Sequence, residues 1–231
     1  MNNIKMLTVK DLLVYKILRT TAGWTIRPFI NLALRIRNVT RDHFCEKKLG
    51  IITTGYSQVK EDVTMFKDST EYAPTPYEVI KKILEKLQFG PDDVFIDLGC
   101  GKGRIIFSVA EKRLKKVIGI EARQDMVAIA SDNLKKAKRK NTPVEIFNAD
   151  AASFDMREGT VFFLYEPFGK NTLAKVIQNI KKSLSADPRK IRIVCLGCPD
   201  LNTIEGSEWL ACESSLEGGM IKTWSSRENN G

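Results

Sequence analysis

The sequence predicts an α/β fold: a mostly parallel sheet covered on both faces by helices, ended by an antiparallel C-terminal hairpin and preceded by a helical extension. Three observations predict it. From about residue 76 onward, short β-rich runs alternate with helical segments, and repeated βα units of that kind build parallel sheets. A loop with three alternating glycines, Asp97-Leu-Gly99-Cys-Gly101-Lys-Gly103, follows the first β-rich run and opens a helix. Two late β-rich runs flank Gly218-Gly219, the pattern of a hairpin.

Pro76 to Leu87 reads as a helix, with Val79, Ile80, Ile83, Leu84 and Leu87 at helical spacing. Asp93 to Asp97 is a buried strand, bounded by Gly90-Pro91 before it and glycines after it. Arg104 to Glu111 returns to helix, and Lys116 to Glu121 is the second strand. Gln124 to Lys140 reads as a longer helix whose outer face carries Lys135, Lys136, Lys138, Arg139 and Lys140. No aromatic residue interleaves that run, so it reads as a solvated face rather than a nucleic-acid track. Val144 to Phe147 and Thr160 to Tyr165 are the third and fourth strands, and Asn171 to Leu184 is the helix after the fourth. Lys190 to Cys195 is the fifth, with Trp209–Ser215 and Met220–Ser226 as the hairpin.

The chain of 231 residues carries 37 Lys+Arg against 28 Asp+Glu, a formal charge of +9, with 43% hydrophobic residues. That composition excludes a wholly disordered or collagen-like chain. The charge is unevenly spread: residues 1–50 hold ten Lys/Arg against three Asp/Glu, so the rest is nearly neutral. Leu12 to Ile36 is apolar but is interrupted by Lys16, Arg19, Arg27 and Arg35. No charge-free run approaches the ~18 residues of a spanning helix, and no cleavable signal pattern is present. One or two amphipathic helices remain, the first broken at Gly23 and the second carrying Pro28 in its first turn. In the second, Phe29, Ile30, Ala33, Leu34 and Ile36 share one face opposite Asn31, Arg35 and Asn38. Residues 1–40 therefore suit contact with the protein body, with a second subunit, or peripherally with an anionic membrane.

Five cysteines are an odd, sparse set, which argues against a disulfide framework and for a reducing, cytoplasmic location. Cys195-Leu-Gly-Cys198 is a single CxxC with one histidine, His43, in the whole chain. A zinc site needs more ligands than that, so no metal is expected. The odd spacing in a β-rich run points the two thiols to opposite faces, as two small buried side chains.

The glycine loop carries the chemistry. Glycines there let the backbone turn tightly and approach a ligand without side-chain clash. A dinucleotide fingerprint would need glycine at position 104, which is Arg104; a phosphate-cradling loop would end Gly-Lys-Ser/Thr, and this one ends Gly-Lys-Gly. Asp97 is a poor neighbour for a pyrophosphate and a good one for a cationic group.

In these features the sequence resembles the class I S-adenosylmethionine-dependent methyltransferases. The matching elements run in order: the DLGCGKG loop, the acidic strand end Glu121, Asn148-Ala149-Asp150 after the third strand, and Tyr165-Glu-Pro-Phe168 at the end of the fourth. The resemblance covers about residues 71–226 and implies a Rossmann-like, seven-stranded sheet with S-adenosyl-L-methionine as cofactor. It divides the chain into a basic helical extension, residues 1–70, and a catalytic domain, residues 71–231. It also implies roles. Gly99, Gly101 and Gly103 would close over the methionine part of the cofactor with Asp97 near its ammonium. Glu121, with Ala122 beside it, would accept from the ribose hydroxyls; Asp150 would accept from the adenine amino group while Ala151 meets the ring. Upstream, Glu71-Tyr72-Ala-Pro74-Thr75-Pro76-Tyr77 resembles the Tyr-x-Pro-Thr-Pro segment of a group that includes archaeal-type protein lysine methyltransferases. There the segment lies over the cofactor, which makes Tyr72 and Thr75 candidates for its carboxylate and the acceptor channel.

Glu166 departs from the pattern of amino-directed relatives, which carry Asn or Asp before Pro-Pro-aromatic at this strand end. Its carboxylate suits a cationic or hydrogen-bond-donating acceptor, with Phe168 and Tyr165 as walls; Glu166 ordering the cofactor or nearby loops is the competing role. The expected activity is methyl transfer to an unidentified acceptor. A protein lysine comes first, and a small-molecule amine or hydroxyl second. Nucleic acid is not the expected partner, because the catalytic body is nearly neutral. A catalytically silent, cofactor-binding interaction protein is the reading from a different class.

Overall fold

The computed structural model describes residues 37–55, 72–165, 168–198 and 200–227. Two compact units divide the chain, Met1–Phe44 and Cys45–Gly231. In the first, residues 37–44 are helical; the amphipathic segments expected before them lie outside the described residues. The second opens with helical residues 45–49, and Gly50 (φ 77°) ends that run. Residues 45–55 thus belong to the larger unit.

One sheet of seven strands organises the larger unit: β1 Val94–Leu98, β2 Lys116–Glu121, β3 Val144–Asn148, β4 Val161–Tyr165, β5 Arg192–Leu196, β6 Leu210–Leu216 and β7 Ile221–Ser226. Their spatial order is β3-β2-β1-β4-β5-β7-β6. The first five are parallel and β7 pairs antiparallel with both β5 and β6, as the alternation of elements and the hairpin predicted. Every residue of β1 is buried, which suits a central strand covered on both faces. β6 starts at buried Leu210 and continues with exposed and half-buried residues, with a register irregularity between Cys212 and Ser214; such irregularities blunt an open sheet edge against further pairing.

Helices cover both faces: α1 Tyr77–Lys86, α2 Arg104–Val109, α3 Gln124–Lys136, α4 Lys170–Ala186 and the short α5 Asn202–Glu205. Glu78 lies in the first turn of α1 and Lys86 in its last, each favourable to the helix dipole. The stripe Leu173, Val176, Ile177 and Ile180 buries α4, and Asp187 before Pro188 ends it in extended geometry. The core joins Ile96, Leu98, Ile120, Phe162, Leu164, Ile193 and Trp224 to that stripe.

Two expectations are corrected. α3 ends at Lys136 rather than Lys140: Ala137 is extended, and the Lys138 N–H leaves the helix to donate to Leu49 O at 2.8 Å. Cys195 and Cys198 do not point to opposite faces but form a disulfide, with their Cα atoms 6.0 Å apart. β5 stops at Leu196 and Gly197 adopts φ 64°, a left-handed turn that abolishes the period-two alternation on which the expectation rested.

Candidate functional site

Strand register assembles the site. Leu98 pairs with Ile120 on one side and Leu164 on the other. The next row along the sheet brings together Glu121 with Asn148 and Tyr165 with Leu196. The order reverses between β1 and β4, and ligands of open α/β sheets bind at the carboxyl ends of strands beside such a reversal.

Asp97 sits on β1 between Gly119 and Phe163 and is 3% exposed. No described residue hydrogen-bonds its carboxylate. Burial, and then the charge of Glu121, pushes its carboxyl well above the usual range. A buried acid with no partner is costly as an anion until a cation arrives. The loop that follows turns through Gly99, Gly101 and Gly103 at φ 93°, 52° and 93°, and Gly103 caps α2. A Cβ built on Gly101 would collide with the Tyr72 ring, so Tyr72 lies directly on the glycine loop.

Glu121 ends β2 and holds that loop. Its Oε2 accepts from Gly101 N at 2.9 Å and its Oε1 from Arg123 N at 2.8 Å. Burial raises its pKa and these backbone donors oppose the rise. Asn148 ties the next strand end to β2 by donating to Glu121 O and Ala122 O. Asp150 is exposed and fixes its own turn, accepting from Ala152 N at 2.8 Å, while Ala151 is buried. The candidate cofactor residues Asp97, Gly99, Gly101, Gly103, Glu121, Ala122, Asp150 and Ala151 therefore line consecutive strand ends. Phe168 packs half-buried against the core just after β4. Glu166 lies outside the described residues.

Sequence reasoning missed four residues here. Glu46 and Arg104 form an ion pair, Nη2 to Oε1 3.1 Å, with both side chains at least nine-tenths buried. Thr53 joins them: its hydroxyl donates to Glu46 Oε1 at 2.6 Å and accepts from Arg104 Nε at 2.7 Å. Arg104 also donates to Thr75 O at 3.2 Å, and Thr75 is buried. Lys102 donates to Thr54 O and Gly55 O, both at 3.1 Å. The Gly-Lys-Gly-Arg continuation of the loop was the only signal that could have pointed to two of the four.

This arrangement can hold a zwitterionic nucleoside. Asp97, with no hydrogen-bond partner among the described residues, suits an ammonium, Gly101 leaves room for the Tyr72 ring on the loop, and Glu121 can still accept from hydroxyls. S-adenosylmethionine fits these groups and, when bound, supplies a methyl group on a sulfonium.

The family model described as "Histone methylation protein DOT1" matches residues 56–180. A protein-lysine N-methyltransferase of Saccharolobus islandicus is 30% identical over 121 residues, 52% of this chain and 73% of its own. The H3 lysine-79-specific histone-lysine N-methyltransferase of Dictyostelium discoideum is 30% identical over 122 residues, 47% of this chain but only 7% of its own. Among solved structures, an RNA methyltransferase of Salinibacter ruber in complex with S-adenosyl-L-homocysteine superposes with a TM-score of 0.52 at 28% identity. It covers 69% of this chain and 97% of its own. With that neighbour present, the expectation that nucleic acid is not a partner loses its support.

Proposed function

This chain belongs to the histone methylation protein DOT1 family and is an S-adenosylmethionine-dependent methyltransferase; from that premise we propose that its acceptor is a protein lysine side chain. The observation that carries the proposal is the likeness to the archaeal protein-lysine N-methyltransferase, most of whose length this chain spans.

In this reading Asp97 binds the cofactor's ammonium, the glycine loop meets its methionine part, Glu121 and Ala122 take the ribose, and Asp150 and Ala151 take the adenine. Tyr72 and Thr75 close the methionine end, and Tyr72 and Phe168 wall the path of the acceptor. Glu166 orients the lysine amine and can take its proton, so that a neutral amine faces the methyl group. Displacement at a methyl group needs alignment and exclusion of water more than a strong base. The pieces that exclude water here are the aromatic ring of Tyr72 and the partly buried Phe168. Residues 1–70 act as a basic N-terminal part before the catalytic domain 71–231, with residues 45–55 packed within the larger compact unit. Residues 1–40 serve contact with the protein body, with a second subunit or, peripherally, with an anionic membrane from a cytoplasmic location; co-sedimentation with anionic vesicles tests the last, and recovery in the supernatant would reject it.

An RNA acceptor is the second reading, favoured by the name of the Salinibacter ruber neighbour. One experiment separates the two. A cell extract is incubated with the protein and cofactor labelled on its methyl group, then divided into protein and RNA. The proposal expects label in the protein fraction, released as methyl-lysine on hydrolysis, and about a hundredfold loss of rate for Glu166→Gln at saturating cofactor. Label confined to RNA, or a fully active Glu166→Gln, would overturn the corresponding part.

A further inference from the structure

Residues 45–55 lie against the glycine loop through a set of bonds that the sheet itself does not need. Glu46 sits at the centre. Its Oε1 accepts from Thr53 N at 2.7 Å, from the Thr53 hydroxyl and from Arg104, and its Oε2 from the Thr54 hydroxyl at 3.2 Å. Taking both charges of the Glu46–Arg104 pair out of water is expensive, so a buried pair is poor ground for stability and better ground for a fixed geometry. That geometry is referenced to the ligand loop: Arg104 is the first residue of α2, directly after Gly103.

Two more bonds repeat the pattern. The Tyr72 hydroxyl donates to Thr53 O at 2.8 Å, while its ring rests on Gly101. Lys102, between the second and third glycines, is nine-tenths buried and spends its ammonium on Thr54 O and Gly55 O. It also lies 4.8 Å from the centre of the Tyr72 ring, within cation–π range. Glycine loop, Tyr72 segment and residues 53–55 are thus one hydrogen-bonded body.

We infer that residues 45–55 are a strap that retains the cofactor, with Lys102 and the Glu46–Arg104 pair as positioning residues that set its residence time by holding Tyr72 over the glycine loop. The inference rests on the glycine loop being the cofactor site. Because the strap touches the cover over the ligand rather than the reacting atoms, loosening it should speed escape more than it slows entry or chemistry.

The test is the dissociation rate of S-adenosylmethionine from the full chain, read by stopped-flow displacement with no acceptor present. Lys102→Met, and Tyr72→Phe, which keeps the ring and loses the strap bond, should each raise that rate about tenfold, as expected for a lost hydrogen bond to or from a well-placed donor. The association rate should move less than about twofold, Lys102→Arg should recover most of the loss, and the ligand-free variants should stay folded, melting a few degrees lower for the lost bonds. Unchanged dissociation rates in both variants would overturn the inference, as would slowed association with no faster escape. Failure of the wild type to bind the cofactor would overturn the site assignment itself, and the strap with it.

Discussion

Asp97 is the residue on which the site turns. It stands in a strand whose other members are Val94, Phe95, Ile96 and Leu98, all buried, and nothing in the sheet compensates its charge. Its carboxyl titrates well above the unfolded value because of burial and then Glu121. The sign follows from proton linkage. Between the unfolded and folded pKa values the native state holds the extra proton, so stability falls as pH rises through that window. Asp97→Asn should therefore raise the melting temperature of the ligand-free protein at pH 7 by a few degrees and flatten its decline with rising pH. A calorimetric melting series across pH checks it, and a variant that melts lower would contradict it. Asp97 and the three glycines were legible in the sequence because an acid beside glycines is conspicuous within seven positions, and Glu121 because it ends the next β-rich run. Glu46, Thr53 and Arg104 were not. They meet across 51 and 58 positions, and an Arg opening a helix looks like solvent-facing charge until its partner is seen buried beside it.

Elements were legible wherever periodicity alone sets them, and misplaced where a tertiary bond intervenes. β2 runs Lys116–Glu121 as expected, since nothing but its own β-rich pattern bounds it. α3 lost its last turn because Leu49 captures the Lys138 N–H, a partner from another part of the chain. The Cys195–Cys198 pairing hangs on one left-handed glycine, which the odd spacing could not report. Arg189 shows the same kind of tie at the end of α4. It donates to Gly159 O at 2.8 Å, Met156 O at 2.6 Å, Asp187 O at 2.9 Å and Ser183 O at 3.2 Å. One fork thus closes the helix end onto the turn before β4. Arg189→Ala should cost about 2–4 kcal/mol of stability, because several carbonyls lose a charged donor together. Urea unfolding measures it. Arg189→Lys should recover less than half, since an ammonium cannot reproduce the fork; full recovery by lysine would show that charge alone matters there.

At the scale of the molecule, the order β3-β2-β1-β4-β5-β7-β6 gathers the ends of β1 to β4 around one reversal point, and the candidate cofactor residues among the described ones fall there or in the segment strapped onto it. The formal charge of +9 has little to do with that region, whose conspicuous groups are Asp97, Glu121 and Asp150. An acidic ligand site on a chain whose excess of positive charge is concentrated in its first fifty positions suits a cationic cofactor and a cationic acceptor. Calorimetric titration of the full chain with S-adenosylmethionine, beside Asp97→Asn, tests this most directly. The account predicts one binding event per chain for the wild type and at least about a hundredfold weaker binding for the variant, the consequence of leaving a cation without its buried counter-charge. No binding to the wild type, or equal binding to both, would contradict it.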